Sequence, residues 1–93
     1  MLIPGEYEYK DQHGAGRVVL RVKETPQAFS LTLIENTIRY EAPQIDDLFS
    51  HGETVTIRKA GSIHAVSTIP AYPDWFTLYP YRVGVPYAFD LIH

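Results

Sequence analysis

The stretch that most restricts the fold is Tyr72–Ile92, Tyr-Pro-Asp-Trp-Phe-Thr-Leu-Tyr-Pro-Tyr-Arg-Val-Gly-Val-Pro-Tyr-Ala-Phe-Asp-Leu-Ile. It holds the only tryptophan, Trp75, with four of the seven tyrosines and two of the four phenylalanines, so the burial of large rings must be solved late in the chain. Val83-Gly84 reads as a turn between two extended arms, Phe76–Arg82 and Val85–Ile92. The expected element is a closing β-hairpin that completes a core begun by earlier strands. Pro80 and Pro86 push parts of its arms toward edge or bulge positions, because proline cannot donate to a strand ladder.

The earlier strands announce themselves by alternation. In Glu6-Tyr7-Glu8-Tyr9-Lys10 the tyrosines take one face and the charges the other. Asp11–Gly16 follows as a turn, and Arg17–Lys23 repeats the pattern with Val18, Leu20 and Val22 inward and Arg17, Arg21 and Lys23 outward. Cations there would face the glutamates of the first strand, a favourable cross-strand arrangement. Ala28–Ile34 alternates through Phe29, Leu31 and Leu33. Glu35-Asn36 reads as a tight turn, with Thr37–Glu41 pairing back. Thr54–Arg58 is a further strand, and Ile63–Ile69 is expected to return as its partner.

One segment has helical spacing. Residues 43–51 open with Pro43, carry Asp46 and Asp47 early, and place Ile45, Leu48 and Phe49 on one face, with Gly52 as the stop. The expected fold is therefore mainly β: about eight short strands in an antiparallel meander, partly closed barrel or sandwich, with one short helix. At 93 residues, 45% hydrophobic and 20% charged, this is one domain with a modest core.

Composition narrows the chemistry. No cysteine is present, which removes disulfides, thiolate catalysis and cysteine zinc sites. The net charge of −3 and the pI of about 5.7 argue against a non-specific nucleic-acid binder, which needs a basic excess. The first residues lack the basic and apolar regions of a signal peptide, and no apolar window approaches membrane-spanning length, so a cytoplasmic protein without membrane contact is expected.

His13, His51, His64 and His93 lie in no zinc spacing, and surface or capping roles account for each. A site assembled in space from His51, His64 and Asp46 or Asp47 is the sharper alternative. Asp46-Asp47 is an awkward acid–base dyad, since adjacent helical residues do not face each other. Ser50, Ser62 and Ser67 lack a nucleophile-elbow context, and Gly14-Ala15-Gly16 is too short for a phosphate loop. Arg17, Arg21 and Lys23 form a basic strand face that Glu6 and Glu8 can balance.

These exclusions favour a non-enzymatic protein that acts through protein–protein contacts, without cofactor or metal. The expected partner-binding residues are Trp75, Tyr79, Tyr81, Arg82 and Tyr87 on the closing hairpin, with the acids Asp46, Asp47 and Glu53. Tyrosine, tryptophan and arginine dominate binding hot spots, although core packing is the commoner fate of rings in a small β domain. By analogy of class, a short acidic chain of this kind suits a phage-encoded inhibitor of a nucleic-acid enzyme, of the anti-CRISPR-like kind. Two alternatives remain: a small-molecule or nucleotide pocket lined by Tyr7, Tyr9, Tyr79, Tyr81 and Tyr87, and a structural homodimer. An enzyme built on His64 is a further rival.

Overall fold

Alternation in the sequence becomes a single antiparallel sheet in the structure, a computed structural model that describes residues 2–11, 16–38, 43–50, 52–59, 65–68, 73–79 and 86–93. Its strands are β1 (Gly5–Lys10), β2 (Arg17–Glu24), β3 (Ala28–Asn36), β4 (Thr54–Arg58), β5 (Ala65–Thr68), β6 (Trp75–Tyr79) and β7 (Tyr87–Leu91). The helix α1 (Pro43–Leu48) lies between β3 and β4 in the chain. The strand order is β4-β3-β2-β1-β7-β6-β5, so two meanders meet where the first strand pairs with the last.

The order forces the sheet to curl. A flat sheet would hold the edge strands β4 and β5 about 29 Å apart, six spacings of about 4.8 Å. Arg58 and Ala65 end and begin those strands, and the chain between them reaches at most about 25 Å fully extended. The sheet therefore bends into a half-barrel. The Cα radius of gyration is 12.2 Å, against about 12 Å for a compact domain of this length.

The inner face holds one core. Tyr7, Val18, Leu20, Val22, Leu31, Phe76, Leu78 and Phe89 are fully buried, and Leu2, Phe29, Ile38, Ile57 and Tyr87 join the same cluster. Ring packing orders its centre: Phe76 stacks on Phe89 at 5.2 Å with an interplanar angle of 5°, and Tyr7 meets Phe76 edge-on at 5.2 Å. Ile45 and Phe49, one helical turn apart, fasten α1 to the core. A helix of only six residues depends on that burial. Gly52 ends this segment at φ 152°, open to glycine and strained for other residues.

Three expectations are corrected here. Glu35-Asn36 is not a turn: β3 runs through both residues, paired with Val19 and Val18 of β2. A register shift at Val19/Leu20 inserts Ile34 as an extra residue, which leaves it 43% exposed. The chain turns only after Asn36, whose side-chain oxygen accepts from the Ile38 N–H and whose amide donates to Asp46 at 2.7 Å. Thr37 and Ile38 accordingly lie outside any strand, and 39–41 fall outside the described residues. The partner of β5 is β6, not β4, and those two edge strands sit at opposite ends of the sheet order. The expected mainly β, antiparallel sheet of short strands with one short helix is what the structure has, with seven strands among the described residues.

Glu24, the last residue of β2, ties that strand to the residues before β1 and after β4. Its carboxylate is 8% exposed and accepts from Lys59 Nζ at 2.5 Å and from the Leu2 N–H. Lys59 also lies 4.9 Å over the Phe29 ring. Burial opposes ionisation of Glu24, but Lys59, the Leu2 N–H and the chain's amino terminus outweigh it and hold the carboxyl below its ordinary value.

Candidate functional site

The outer face of the sheet divides into two unlike halves, and the division follows from the register. On β1 and β2 the outward residues are charged. Glu6 stands opposite Arg21, and Glu8 stands beside Arg17 through the Lys10↔Arg17 and Glu8↔Val19 pairs. Arg17 bridges two carboxylates, donating from Nη1 to Glu8 at 2.8 Å and from Nε to Glu35 of β3 at 2.9 Å. Arg21 binds Glu6 at 3.2 Å, and Lys10 binds Glu8 at 3.4 Å. The hydrogen bond from Arg17, against a smaller cost of burial, holds Glu8 below its ordinary value. Val19, set in register between Glu8 and Glu35, is 2% exposed beneath this network. The basic strand face is therefore neutralised at Arg17 and Arg21.

On β6 and β7 the outward residues are of another kind. Trp75, Thr77 and Tyr79 alternate with the sealed Phe76 and Leu78, and all three stay partly exposed. Ala88 and Asp90 alternate with the buried Tyr87 and Phe89, and both are exposed. The register sets Trp75 directly opposite Asp90 and Thr77 opposite Ala88. Ile92, 36% exposed, follows on the same side and is fixed by its N–H bond to the Glu6 carbonyl at 2.9 Å. The Leu91 N–H bond to the Asp74 carbonyl, 2.8 Å, pins the start of β6 to the end of β7. Rings, a methyl group, a hydroxyl and one carboxylate thus form a strip on the convex side of a sheet whose core is already filled from the other side.

Asp90 is the chemically distinctive member. Across β1–β7 it lies directly opposite Glu8, and like charges so placed repel. Glu8 is compensated by Arg17 and Lys10. Among the described residues the Asp90 carboxylate takes part in no ion pair or hydrogen bond.

The expected binding residues separate accordingly. Trp75 and Tyr79 share the outer strip. Tyr87 does not: it is 2% exposed in the core, edge-on to Tyr9 at 5.1 Å, because it shares the inward parity of Phe89. Its removal from the surface set was legible in the alternation Tyr87-Ala88-Phe89-Asp90-Leu91. Tyr81 and Arg82 lie outside the described residues. Asp46, Asp47 and Glu53 are exposed but sit between β3 and β4, with β2, β1 and β7 intervening in sheet order before β6. Sequence reasoning overlooked Asp90, whose significance depends on the pairing of the first strand with the last.

The tyrosines proposed to line a pocket are also divided. Tyr7 is fully buried, its hydroxyl donating to the Ile3 carbonyl at 2.5 Å, and burial followed by the charges of Asp74 and Glu24 pushes its ionisation up. Tyr9 and Tyr87 pack on each other, and Tyr79 points to the opposite face. Among the described residues no three His, Asp or Glu groups converge for a metal; His51 and His64 fall outside them. No described helix is long and apolar enough to cross a membrane.

Comparison with known proteins finds no matching family model, no matching curated protein and no matching solved structure.

Proposed function

We propose that this chain is a non-enzymatic binding protein and that the outer strip of β6 and β7 is where it meets a protein partner. The observation that carries the reading is the contrast along β6: Phe76 and Leu78 are fully buried, while Trp75 and Tyr79 stay partly exposed on the other side. Burying more of a tryptophan and a tyrosine on a rigid sheet gains apolar area at little cost in side-chain entropy, which is why such residues anchor interfaces. The most specific form of the proposal is an inhibitor that occupies a basic groove of a nucleic-acid enzyme; the net charge of −3 and the carboxylate of Asp90 within the strip support it.

The test is capture from a cell lysate by the immobilised chain, run beside Thr77→Arg, which plants a long cation in the middle of the strip without touching the core. The reading expects a defined partner that Thr77→Arg no longer holds, with an unchanged circular dichroism spectrum. Equal capture by both forms would place the binding surface elsewhere.

A further inference from the structure

We propose that the outer strip recognises its partner by taking a cationic side chain, arginine in first place, into the notch between the Trp75 ring and the Asp90 carboxylate. This rests on the preceding reading of the strip as the binding face and names the chemistry of what binds there.

The argument begins with an unbalanced charge. The outer face carries Glu6, Glu8, Glu35 and Asp90 in described positions, and the first three each bind an arginine or lysine. Asp90 alone of these has no counter-charge among the described residues, and it faces Glu8 across the strand pair. An acid held opposite another acid costs the fold stability. An incoming cation would remove that cost and gain an ion pair.

The surroundings favour a cation with a flat, apolar face. Trp75 stands directly opposite Asp90, and Cβ atoms of such pairs lie about 4.5–5.5 Å apart. Tryptophan is the best aromatic partner for a cation held over its ring. A guanidinium can stack on the indole while presenting two N–H groups to the carboxylate, which an ammonium cannot match. Ala88 and Thr77, small and adjacent in register, leave room on the floor, and Ile92 supplies an apolar margin for the stem of the side chain. Among the described residues, the cations of the neighbouring strands β1 and β2, Lys10, Arg17 and Arg21, are engaged by glutamates. The complementary surface is then a basic one on a different protein, drawn to the open charge of Asp90 and the net charge of −3.

Trp75 is the only tryptophan, so its emission reports this notch and no other place on the chain. The probe is an acetylated, amidated hexa-arginine peptide titrated into the protein at physiological salt, with hexalysine and a glycine–serine hexamer beside it. The proposal expects a saturable change in emission with hexa-arginine, weaker binding of hexalysine, and none of the neutral peptide. Asp90→Asn should weaken hexa-arginine binding about tenfold, the scale of about 1.4 kcal/mol. Glu35→Gln, the same loss of charge on β3, should leave it within about twofold. Equal weakening by the two variants, or no saturable change in wild type, would overturn the proposal, as would a homodimer by light scattering that Asp90→Asn abolishes. The two readings fail differently. A lysate partner lost with Thr77→Arg but held as well by Asp90→Asn as by wild type would sink the arginine notch and leave the binding face standing.

Discussion

Two halves of one sheet face differ in how completely they are satisfied. On the β1–β2–β3 half, every outward glutamate of β1 has an arginine or lysine, and Arg17 serves two strands at once. On the β6–β7 half, Trp75 and Tyr79 stay partly exposed, and among the described residues Asp90 stands against Glu8 without a counter-charge. Both halves share the same inner core, so burial does not explain the difference. A surface that has settled its own charges has little left to offer a partner. A surface that carries rings and an opposed acid is less stable than it need be, and functional sites characteristically sacrifice stability in this way.

The sharpest break of the comparison is across β6 itself. Phe76→Ala removes a fully buried ring stacked on Phe89 and should cost about 3–5 kcal/mol in urea denaturation. Trp75→Ala, its neighbour on the outer side, should cost far less. Comparable losses would mean that Trp75 belongs to the fold rather than to the interface.

Next in size is Gly16, the residue just before β2 on the satisfied half. A Cβ there would come within 2.5 Å of the Thr37 carbonyl oxygen, a backbone atom with no easy escape. Gly16→Ala should destabilise by about 1–3 kcal/mol, the range for forced overpacking. A stability equal to wild type would show that the approach of 37 to 16 is looser than the hydrogen bonds there indicate.

Acid should weaken the charged half and the Glu24 clamp while sparing the strip. Glu8 and Glu24 both titrate below their ordinary value of 4.5 in the fold, so the unfolded chain binds more protons as pH falls. Their stabilisation is complete above the unfolded value and is lost as pH drops through the folded ones. Glu24→Gln should therefore lower Tm near neutrality and lose less than wild type between pH 5 and pH 3, by thermal melts at each pH. A constant gap between the two proteins across that window would remove Glu24 from the acid response.

The smallest expected effect has the most informative sign. Asp90→Asn relieves the opposition to Glu8 and should raise stability by a few tenths of a kcal/mol, the lower end of cross-strand charge effects. A residue whose removal improves the fold is retained for another reason. If Asp90→Asn destabilises instead, Asp90 has an unseen structural role and the contrast between the halves softens.

How much was legible in the chain beforehand follows the same line. The alternation of β1 and β2 gave their inner and outer faces, and the glutamate–arginine opposition could be read because only a few residues of chain separate those strands. The helix was readable from Pro43 and the spacing of Ile45, Leu48 and Phe49. What escaped was non-local. Nothing near β5 states that β6 rather than β4 will bind it. Asn36 has turn character, but a bulge at Ile34 let β3 continue to it. Asp90 became notable only when β7 closed on β1 and set it against Glu8. Tyr87 was the avoidable error, since strand parity already consigned it to the core with Phe89.

The account's central claim is that one half of the outer face is reserved for a protein partner. Amide and indole NMR spectra, recorded as the partner captured from lysate is added to labelled protein, test it most directly. The account predicts shifts or broadening at the Trp75 indole N–H and the amides of Thr77, Ala88 and Asp90, with the amides of Glu6, Val19 and Arg21 unmoved. Perturbation centred on the Glu8–Arg17–Glu35 network, with Trp75 unaffected, would contradict it.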